Sequence, residues 1–228
     1  MTPGRQPKRS LTAIVGVIAS NDELRLARRM RKPPDLFELR LDCLREFRES
    51  EIARLKRPLI MTARHPAEGG ARNLSDGRRG ELLLKSLPRA AFVDVELRSV
   101  PALKEIWDET GRQKIGRICS VHDFDATPPL ARLHKQFDYA KKWGADLFKV
   151  VSRAESIDDL MVLLELLRSQ PERGRLCVMG TGKFGAISRL LFPECGSALV
   201  YAPLRHRLHD GQLTLEQLRR LRNFYAKT

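Results

Sequence analysis

Residues 116–152 read GRICSVHDFDATPPLARLHKQFDYAKKWGADLFKVVS, and this stretch decides the fold class. Two short apolar runs, 116–121 and 147–152, predict strands. Residues 129–143 lie between them and have the pattern of a helix. A strand, a helix and a second strand in this order are typical of a β/α unit in a parallel sheet.

The same alternation extends over the whole chain. The predicted strands are 13–20, 36–41, 59–64, 92–97, 116–121, 147–152, 176–180 and 198–202. The predicted helices are 23–31, 51–55, 77–90, 102–110, 129–143, 157–169, 186–192 and 213–226. Eight repeats in 228 residues fit a compact (β/α)8 TIM barrel of class α/β. A doubly wound open sheet is the alternative, but it predicts a glycine-rich turn after the first strand, and residues 20–23 contain no glycine.

Composition limits the number of domains and the class of protein. A chain of 228 residues with 42% hydrophobic and 31% charged content is expected to form one domain, 1–228. The formal charge of +14 comes largely from dispersed arginines and predicts a general attraction to anions. The four cysteines form no CxxC pair, so we expect reduced thiols and a cytoplasmic location. Residues 1–19 do not have the pattern of a signal peptide, and no apolar run approaches the length of a membrane span, which predicts a soluble protein.

In a parallel barrel the active site lies at the carboxyl ends of the strands, so polar residues at those ends are candidates for function. Period-two alternation places Glu38, Arg40 and Asp42 on one face of the second strand. A buried ion-pair network that braces the barrel is the competing interpretation, and it applies most strongly to Asp42.

Lys149 lies near the end of the sixth predicted strand, in the run DLFKVV. A buried lysine is costly unless its ammonium is paired or neutralised, and a neutral amine is a nucleophile that can form a Schiff base. A strand-end lysine that reaches water along its methylene groups is the ordinary alternative. His122 ends the neighbouring fifth strand, about 4.8 Å away, so both side chains can share one ligand.

Other candidates lie on the remaining strand ends and loops. Arg64 ends the third strand, and Glu68 follows it beside a glycine pair that lets the backbone approach a ligand. Glycines after the seventh strand do not match the P-loop pattern, and we interpret this segment as a flexible turn that delivers Arg189 to an anionic group. Gln212 lies on a long polar loop after the eighth strand, which is a candidate lid.

Taken in order, these segments resemble type I 3-dehydroquinate dehydratase, a (β/α)8 enzyme of the shikimate pathway, over essentially the whole chain. The resemblance rests on Glu38-Leu39-Arg40-Leu41-Asp42, Thr62-Ala63-Arg64, Glu68-Gly69-Gly70, Asp94-Val95-Glu96-Leu97, Ser120-Val121-His122-Asp123-Phe124, Thr127-Pro128, Phe148-Lys149, Met179-Gly180, Ile187-Ser188-Arg189 and Gly211-Gln212.

The resemblance implies conversion of 3-dehydroquinate to 3-dehydroshikimate and water, without cofactor or metal. It implies that Lys149 forms an iminium with the ring ketone, that His122 is the general acid and base, and that Glu68 orients His122. It assigns the carboxylate and hydroxyls of the substrate to Glu38, Arg40, Arg64, Arg189 and Gln212. Burial and the nearby arginines are expected to disfavour the ammonium of Lys149. The family also suggests a homodimer.

One segment departs from the family pattern. The family's lid usually reads Ser-Ala-Pro-Gly-Gln, whereas here it reads Leu208-His209-Asp210-Gly211-Gln212, so the serine that normally reaches the substrate is missing. We expect this departure to affect substrate affinity and lid closure rather than the chemistry.

Two other functions stay open at this point. One is a Schiff-base lyase of class I aldolase type that uses the same lysine. The other is a basic nucleic-acid-binding protein, although aromatic residues make up only 6% of the chain and no nucleic-acid-binding motif is present. The prediction is therefore an enzyme that binds a small substrate, with no nucleic acid and no membrane as partner.

Overall fold

The structure, a computed structural model, describes residues 12–44, 49–170 and 176–225. The basic N-terminus and Ala226, at the end of the last predicted helix, lie outside these ranges. The strands within them are β1 Ala13–Ile18, β2 Leu36–Arg40, β3 Leu59–Thr62, β4 Phe92–Glu96, β5 Gly116–Asp123, β6 Leu147–Arg153, β7 Leu176–Thr181 and β8 Leu199–Pro203. The α-helices are α1 Asn21–Arg29, α2 Glu49–Ile52, α3 Asp76–Ser86, α4 Lys104–Arg112, α5 Leu130–Lys142, α6 Ile157–Arg168, α7 Gly185–Glu194 and α8 Leu215–Tyr225.

The strands form one parallel sheet in the order β7-β6-β5-β4-β3-β2-β1-β8. β7 and β8 approach each other through a main-chain hydrogen bond from Ala198 to Leu176 (2.8 Å), which nearly closes the barrel. The predicted (β/α)8 architecture is therefore confirmed.

Several predicted boundaries were wrong by one or two residues, for local reasons. β1 ends at Ile18 rather than Ser20, because the Ser20 hydroxyl caps α1 by accepting from the main-chain N–H of Glu23 (3.2 Å). β3 stops at Thr62, and the main-chain N–H of Arg64 donates instead to the carboxylate of Asp42 (3.2 Å). In contrast, β5 continues to Asp123 because it remains paired with β6 through Ser152.

Alternation along the strands separates two apolar cores. Outward-facing residues such as Leu39 and Val150 pack against the helices in the larger core. Inward-facing residues build the smaller core, which includes one layer from the odd-numbered strands: Val15, Ile60, Ile118 and Cys177. This layer forms the floor directly below the site, and inward-facing residues of the even-numbered strands such as Leu147 lie beneath it.

A polar layer from the even-numbered strands lies above that floor. It consists of Glu38, Asp94, Lys149 and Tyr201, whose exposures are between 1% and 6%. The helix α3 braces the wall beside this layer through Arg79, which is fully buried. Arg79 donates to the main-chain oxygen of Ala63 (2.8 Å) and pairs with Glu96.

The cysteines Cys43, Cys119, Cys177 and Cys195 are all free thiols. No helix among the described residues is long and apolar enough to span a membrane.

Candidate active site

Lys149 lies in the polar layer with its side chain 3% exposed. Its Nζ lies 2.5 Å from a carboxylate oxygen of Asp94 and 3.7 Å from one of Glu38. The same atom lies 4.3 Å from the ring centroid of Tyr201. The sequence analysis expected arginines around this amine, and the structure adds the carboxylates of Asp94 and Glu38 beside it.

Arg64 is buried above this layer and is surrounded by acceptors. It donates to Asp94 (3.1 Å), Glu96 (2.9 Å) and the hydroxyl of Ser120 (2.7 Å). Burial opposes its charge, but Asp94 and Glu96 overcome this effect and raise the pKa of the guanidinium well above its usual value. Arg64 therefore organises the carboxylates of the site, and its hydrogen bonds are largely committed before any ligand binds.

His122 and Glu68 form a second pair. The carboxylate Oε2 of Glu68 accepts from the main-chain N–H of His122 (2.9 Å) and lies 3.0 Å from its ring Nδ1. Burial raises the pKa of Glu68 to about 7, although Arg64 opposes this effect. Burial, and next Arg64 and Lys149, lower the pKa of His122 well below its usual 6.5, so the ring is neutral at neutral pH.

Arg40 and Asp42 form a buried ion pair at the end of β2. Nε and one terminal nitrogen of Arg40 lie 2.9 and 2.8 Å from the two oxygens of Asp42. Arg40 also donates to the main-chain oxygen of Gly69 (2.9 Å), which ties the Glu68 loop to β2. Asp42 thus has the bracing role that its sequence position suggested, while Arg40 both braces the loop and lines the cavity.

Arg189 is the buried cation of the site that lacks a carboxylate partner among the described residues. It is 2% exposed and donates to the main-chain oxygens of Gly180 (2.6 Å) and Gly185 (2.8 Å). Burial lowers the pKa of Arg189 to about 10, still far above neutrality. A buried positive charge without a counter-ion is suited to bind an anion.

The loop after β8 covers the site as a lid formed by residues 205–212. The side-chain oxygen of Gln212 accepts from the main-chain N–H groups of Leu208 (2.7 Å) and His209 (3.2 Å). The His209 ring stacks on Phe124, with centroids 4.0 Å apart and planes 15° apart. Gln212 therefore shapes the lid as well as lining the cavity.

These elements enclose a central cavity of about 60 Å³. Its lining includes every predicted site residue: Glu38, Arg40, Arg64, Glu68, His122, Lys149, Arg189 and Gln212. This volume holds only a few water molecules, so a ring-sized ligand requires the groups around the cavity to move. Among the described residues, no group of three or more His, Cys, Asp or Glu side chains could hold a metal ion.

The sequence analysis did not assign Asp94 or Tyr201 to the site. Alternation along β4 puts Asp94 and Glu96 on one face of the strand, but it does not indicate that Asp94 lies next to Lys149. Tyr201 lies within the apolar run Ala198 to Ala202, where an aromatic residue has the pattern of a core side chain.

Comparison with known proteins gives one consistent family. The family model described as type I 3-dehydroquinase matches residues 14–228. The 3-dehydroquinate dehydratase of Dehalococcoides mccartyi is 35% identical over 185 residues, which cover 80% of this chain and 82% of that protein. The enzyme of the same name from Thermococcus gammatolerans is 31% identical, over 91% of this chain and 96% of that protein.

Solved structures agree on the fold. The crystal structure of type I 3-dehydroquinate dehydratase from Clostridium difficile, with covalently modified comenic acid, has a TM-score of 0.83 and 24% identity, and the match covers 97% of this chain and 94% of that one. The 3-dehydroquinate dehydratase from Geobacillus kaustophilus has a TM-score of 0.81 and 26% identity, over 95% of this chain and 91% of that one.

Proposed function

The chain belongs to the type I 3-dehydroquinase family, and we propose from that premise that Lys149 dehydrates 3-dehydroquinate through a Schiff base. The enzyme is a hydro-lyase, a 3-dehydroquinate dehydratase that acts in the shikimate pathway. The roles proposed for its residues rest on their contacts around the central cavity.

One observation carries the proposal: the buried amine of Lys149 and the His122–Glu68 pair line the same enclosed cavity. β5 and β6 pair so that Ser120 lies opposite Lys149, and His122 follows two residues later on the same face. A nucleophilic amine and a neutral imidazole therefore converge on one bound molecule.

Arg189 supports the choice of substrate class. Its charge is buried without a carboxylate partner among the described residues, and it borders the central cavity. A carboxylate bound there places the ring of a small hydroxy-keto acid toward Lys149. Arg64 holds the carboxylates of Asp94 and Glu96 in place and is not a free anion-binding group. Arg40, paired with Asp42, lines the wall of the cavity.

The proposed reaction has four steps. The Lys149 ammonium and the ketone form an iminium and release water. The iminium acidifies the adjacent C–H, and Nε2 of His122 takes that proton, which gives an enamine. The imidazolium then donates the proton to the hydroxyl on the next carbon, which departs as water. Hydrolysis of the remaining iminium releases 3-dehydroshikimate and regenerates Lys149.

Glu68 sets the tautomer of His122. Its carboxylate accepts from Nδ1, so the lone pair is left on Nε2 and the imidazolium formed later has a partner.

The test is intact-protein mass after incubation with 3-dehydroquinate and borohydride. We expect wild type and the surface variant Lys142→Ala to carry one reduced adduct, and Lys149→Ala to carry none and to lose turnover. Product formation without any adduct would refute the imine, and an adduct accompanied by carbon–carbon cleavage would favour an aldolase.

The same proposal covers the organisation of the protein. We propose a single catalytic domain over 1–228 from the length and composition of the chain, a cytoplasmic location from its cysteines, and a homodimer from the family resemblance. Analytical ultracentrifugation tests the dimer, and a monomer at micromolar concentration would contradict it.

A further inference from the structure

Asp94 is held in the polar layer of the barrel by several hydrogen bonds. Its carboxylate is 1% exposed and accepts from both terminal nitrogens of Arg64, each at 3.1 Å. The hydroxyl of Ser120 donates to the same carboxylate at 2.6 Å. Arg64 also donates to Ser120 (2.7 Å), so the three side chains form a closed ring of hydrogen bonds. All three residues are buried, which leaves the carboxylate little freedom to turn.

This fixed carboxylate is the hydrogen-bond acceptor of Lys149. Nζ donates to Oδ2 of Asp94 at 2.5 Å, whereas the nearest oxygen of Glu38 lies at 3.7 Å, beyond a hydrogen bond. Burial opposes the charge of Asp94, but Arg64 and then Lys149 outweigh it and lower the pKa of Asp94 well below its usual range. Asp94 therefore accepts from Nζ without taking its proton.

The proposed reaction reduces the donors on Nζ to one. An ammonium has three N–H groups. Two of these N–H bonds break as the C=N bond forms, and the ketone oxygen leaves as water with both hydrogens. The N–H that remains lies in the plane of the iminium, together with the two ring carbons bonded to the C=N carbon. An acceptor in a fixed place therefore fixes that plane.

Proton removal depends on the same plane. The C–H bond that breaks must stand perpendicular to it, since only then can its electrons enter the π system of the C=N bond. Asp94 lies in the same layer as Lys149, whereas His122 follows Ser120 by two residues and lies about 7 Å nearer the mouth of the barrel. An N–H directed sideways to Asp94 thus leaves one face of the iminium toward His122.

We propose that Asp94 is a positioning residue for the imine: it takes the single N–H of the iminium and thereby directs one adjacent C–H bond toward His122. This inference rests on the proposed function, because it requires the imine. Asp94 acts after the imine has formed, so it governs the rate of proton removal and the choice between the two hydrogens of the adjacent methylene.

The experiment compares wild type with Asp94→Asn, which keeps the shape of the side chain but removes its charge. Asp138→Asn, the same change at an exposed residue of α5, is the matched control. For each protein we would measure kcat, KM, the thermal midpoint, and the fraction of Lys149 trapped by borohydride at saturating 3-dehydroquinate. Two substrates that carry deuterium at one or the other hydrogen of the adjacent methylene report which hydrogen is removed.

We expect Asp94→Asn to lower kcat roughly tenfold, the difference between a charged and a neutral acceptor. The trapped fraction should stay at or above the wild-type value, because the imine still forms and is consumed more slowly. Wild type should remove one hydrogen only, whereas the variant should also lose deuterium from the position that wild type retains. Asp138→Asn should match wild type in every measurement.

Four results in Asp94→Asn would overturn the inference. These are a wild-type kcat, a trapped fraction that falls together with kcat, a loss confined to KM, and removal of the same single hydrogen as in wild type. A falling trapped fraction would place Asp94 in the formation of the imine rather than in its alignment. Absence of any adduct on wild type would instead refute the proposed function.

Ser120→Ala carries the test if Asp94→Asn does not fold. It removes one of the hydrogen bonds that hold Asp94 and leaves Nζ its charged acceptor. We expect the same pattern on a smaller scale, with kcat lowered roughly threefold and some deuterium lost from the position that wild type retains. A wild-type rate with an unchanged choice of hydrogen in Ser120→Ala would then overturn the inference.

Discussion

Glu68 holds His122 at two points with a single oxygen: Oε2 accepts the main-chain N–H at 2.9 Å and faces the ring Nδ1 at 3.0 Å. A carboxylate can only accept, so the ring proton lies on Nδ1 when Glu68 is ionised. The main-chain bond also fixes which carboxylate oxygen faces the ring. The tautomer that the reaction needs is thus set by a residue 54 positions away in the chain.

This relationship predicts the pH dependence. Burial raises the pKa of Glu68 to about 7, so its carboxylate becomes protonated as the pH falls through 7. Nδ1–H of His122 then loses its ionised acceptor. We expect kcat/KM of wild type to fall below about pH 7. In Glu68→Gln, the amide oxygen stays toward His122 because the main-chain N–H requires an acceptor there.

The inflection near pH 7 should therefore disappear in Glu68→Gln, and the maximal rate should fall about tenfold, or about 1.4 kcal/mol, because the imidazolium loses its counter-ion. The pH profile of the variant should then show only the titration of His122, whose pKa lies well below 6.5, mainly because of burial. Profiles of kcat/KM between pH 5 and 8.5 check this. An unchanged inflection in the variant would assign it to another group.

His122→Ala should leave a slow enzyme that accumulates the imine. Lys149 still meets the ketone, but proton removal loses its base, which is worth about 10²- to 10⁴-fold in rate. Borohydride trapping and mass measure the accumulated adduct, with His134→Ala on α5 as the control. Rapid turnover, or slow turnover without trapped imine, would contradict the role of His122.

Arg189→Lys should raise KM roughly tenfold. Nε and one terminal nitrogen of Arg189 already donate to main-chain oxygens, which leaves the other terminal nitrogen for the substrate, and a lysine cannot make both sets of bonds. The value of kcat should change little, since Arg189 lies apart from the reacting carbons in the proposed pose. Steady-state kinetics check this prediction. Arg153→Leu, at an exposed residue paired with Glu155, is the control and should leave KM unchanged.

His209→Ala should weaken lid closure. The stack of His209 on Phe124 has a centroid distance of 4.0 Å, and such pairs contribute about 0.5 to 1.5 kcal/mol. We therefore expect KM to rise up to about tenfold, with kcat largely retained. His206→Ala removes an exposed imidazole from the same loop and serves as the control. Equal KM values for the two variants would show that the stack does not hold the lid.

Arg79→Met should destabilise the protein by about 3 to 5 kcal/mol, because it leaves Glu96 with part of its charge unpaired in the barrel wall. The matched control is Arg78→Met on the same helix, whose exposed pair with Glu81 should contribute less than about 1 kcal/mol. Urea unfolding measures both changes. Equal stabilities would mean that Arg79 does not brace the wall.

The sequence by itself determined the repeating β/α order, and with it the barrel and the end at which the site lies. Period-two alternation on β2 and the adjacency of β5 and β6 predicted that Glu38, Arg40, His122 and Lys149 lie together, and these four side chains line one cavity. The strand boundaries did not follow from the sequence, because Ser20 and Arg64 could each continue a strand. A cap on the following helix decides the role of Ser20, and a hydrogen bond to distant Asp42 decides that of Arg64.

Only the tertiary structure decided the partners across the barrel. Alternation tells which face a side chain takes, but not which side chain it meets from another strand. Closure of the barrel brought Asp94 to Lys149 across 55 residues, filled the hydrogen bonds of Arg64, and left Arg189 without a carboxylate partner among the described residues. The same closure placed Tyr201 under the reactive amine, because the layers of a barrel interior combine side chains from strands far apart in the chain.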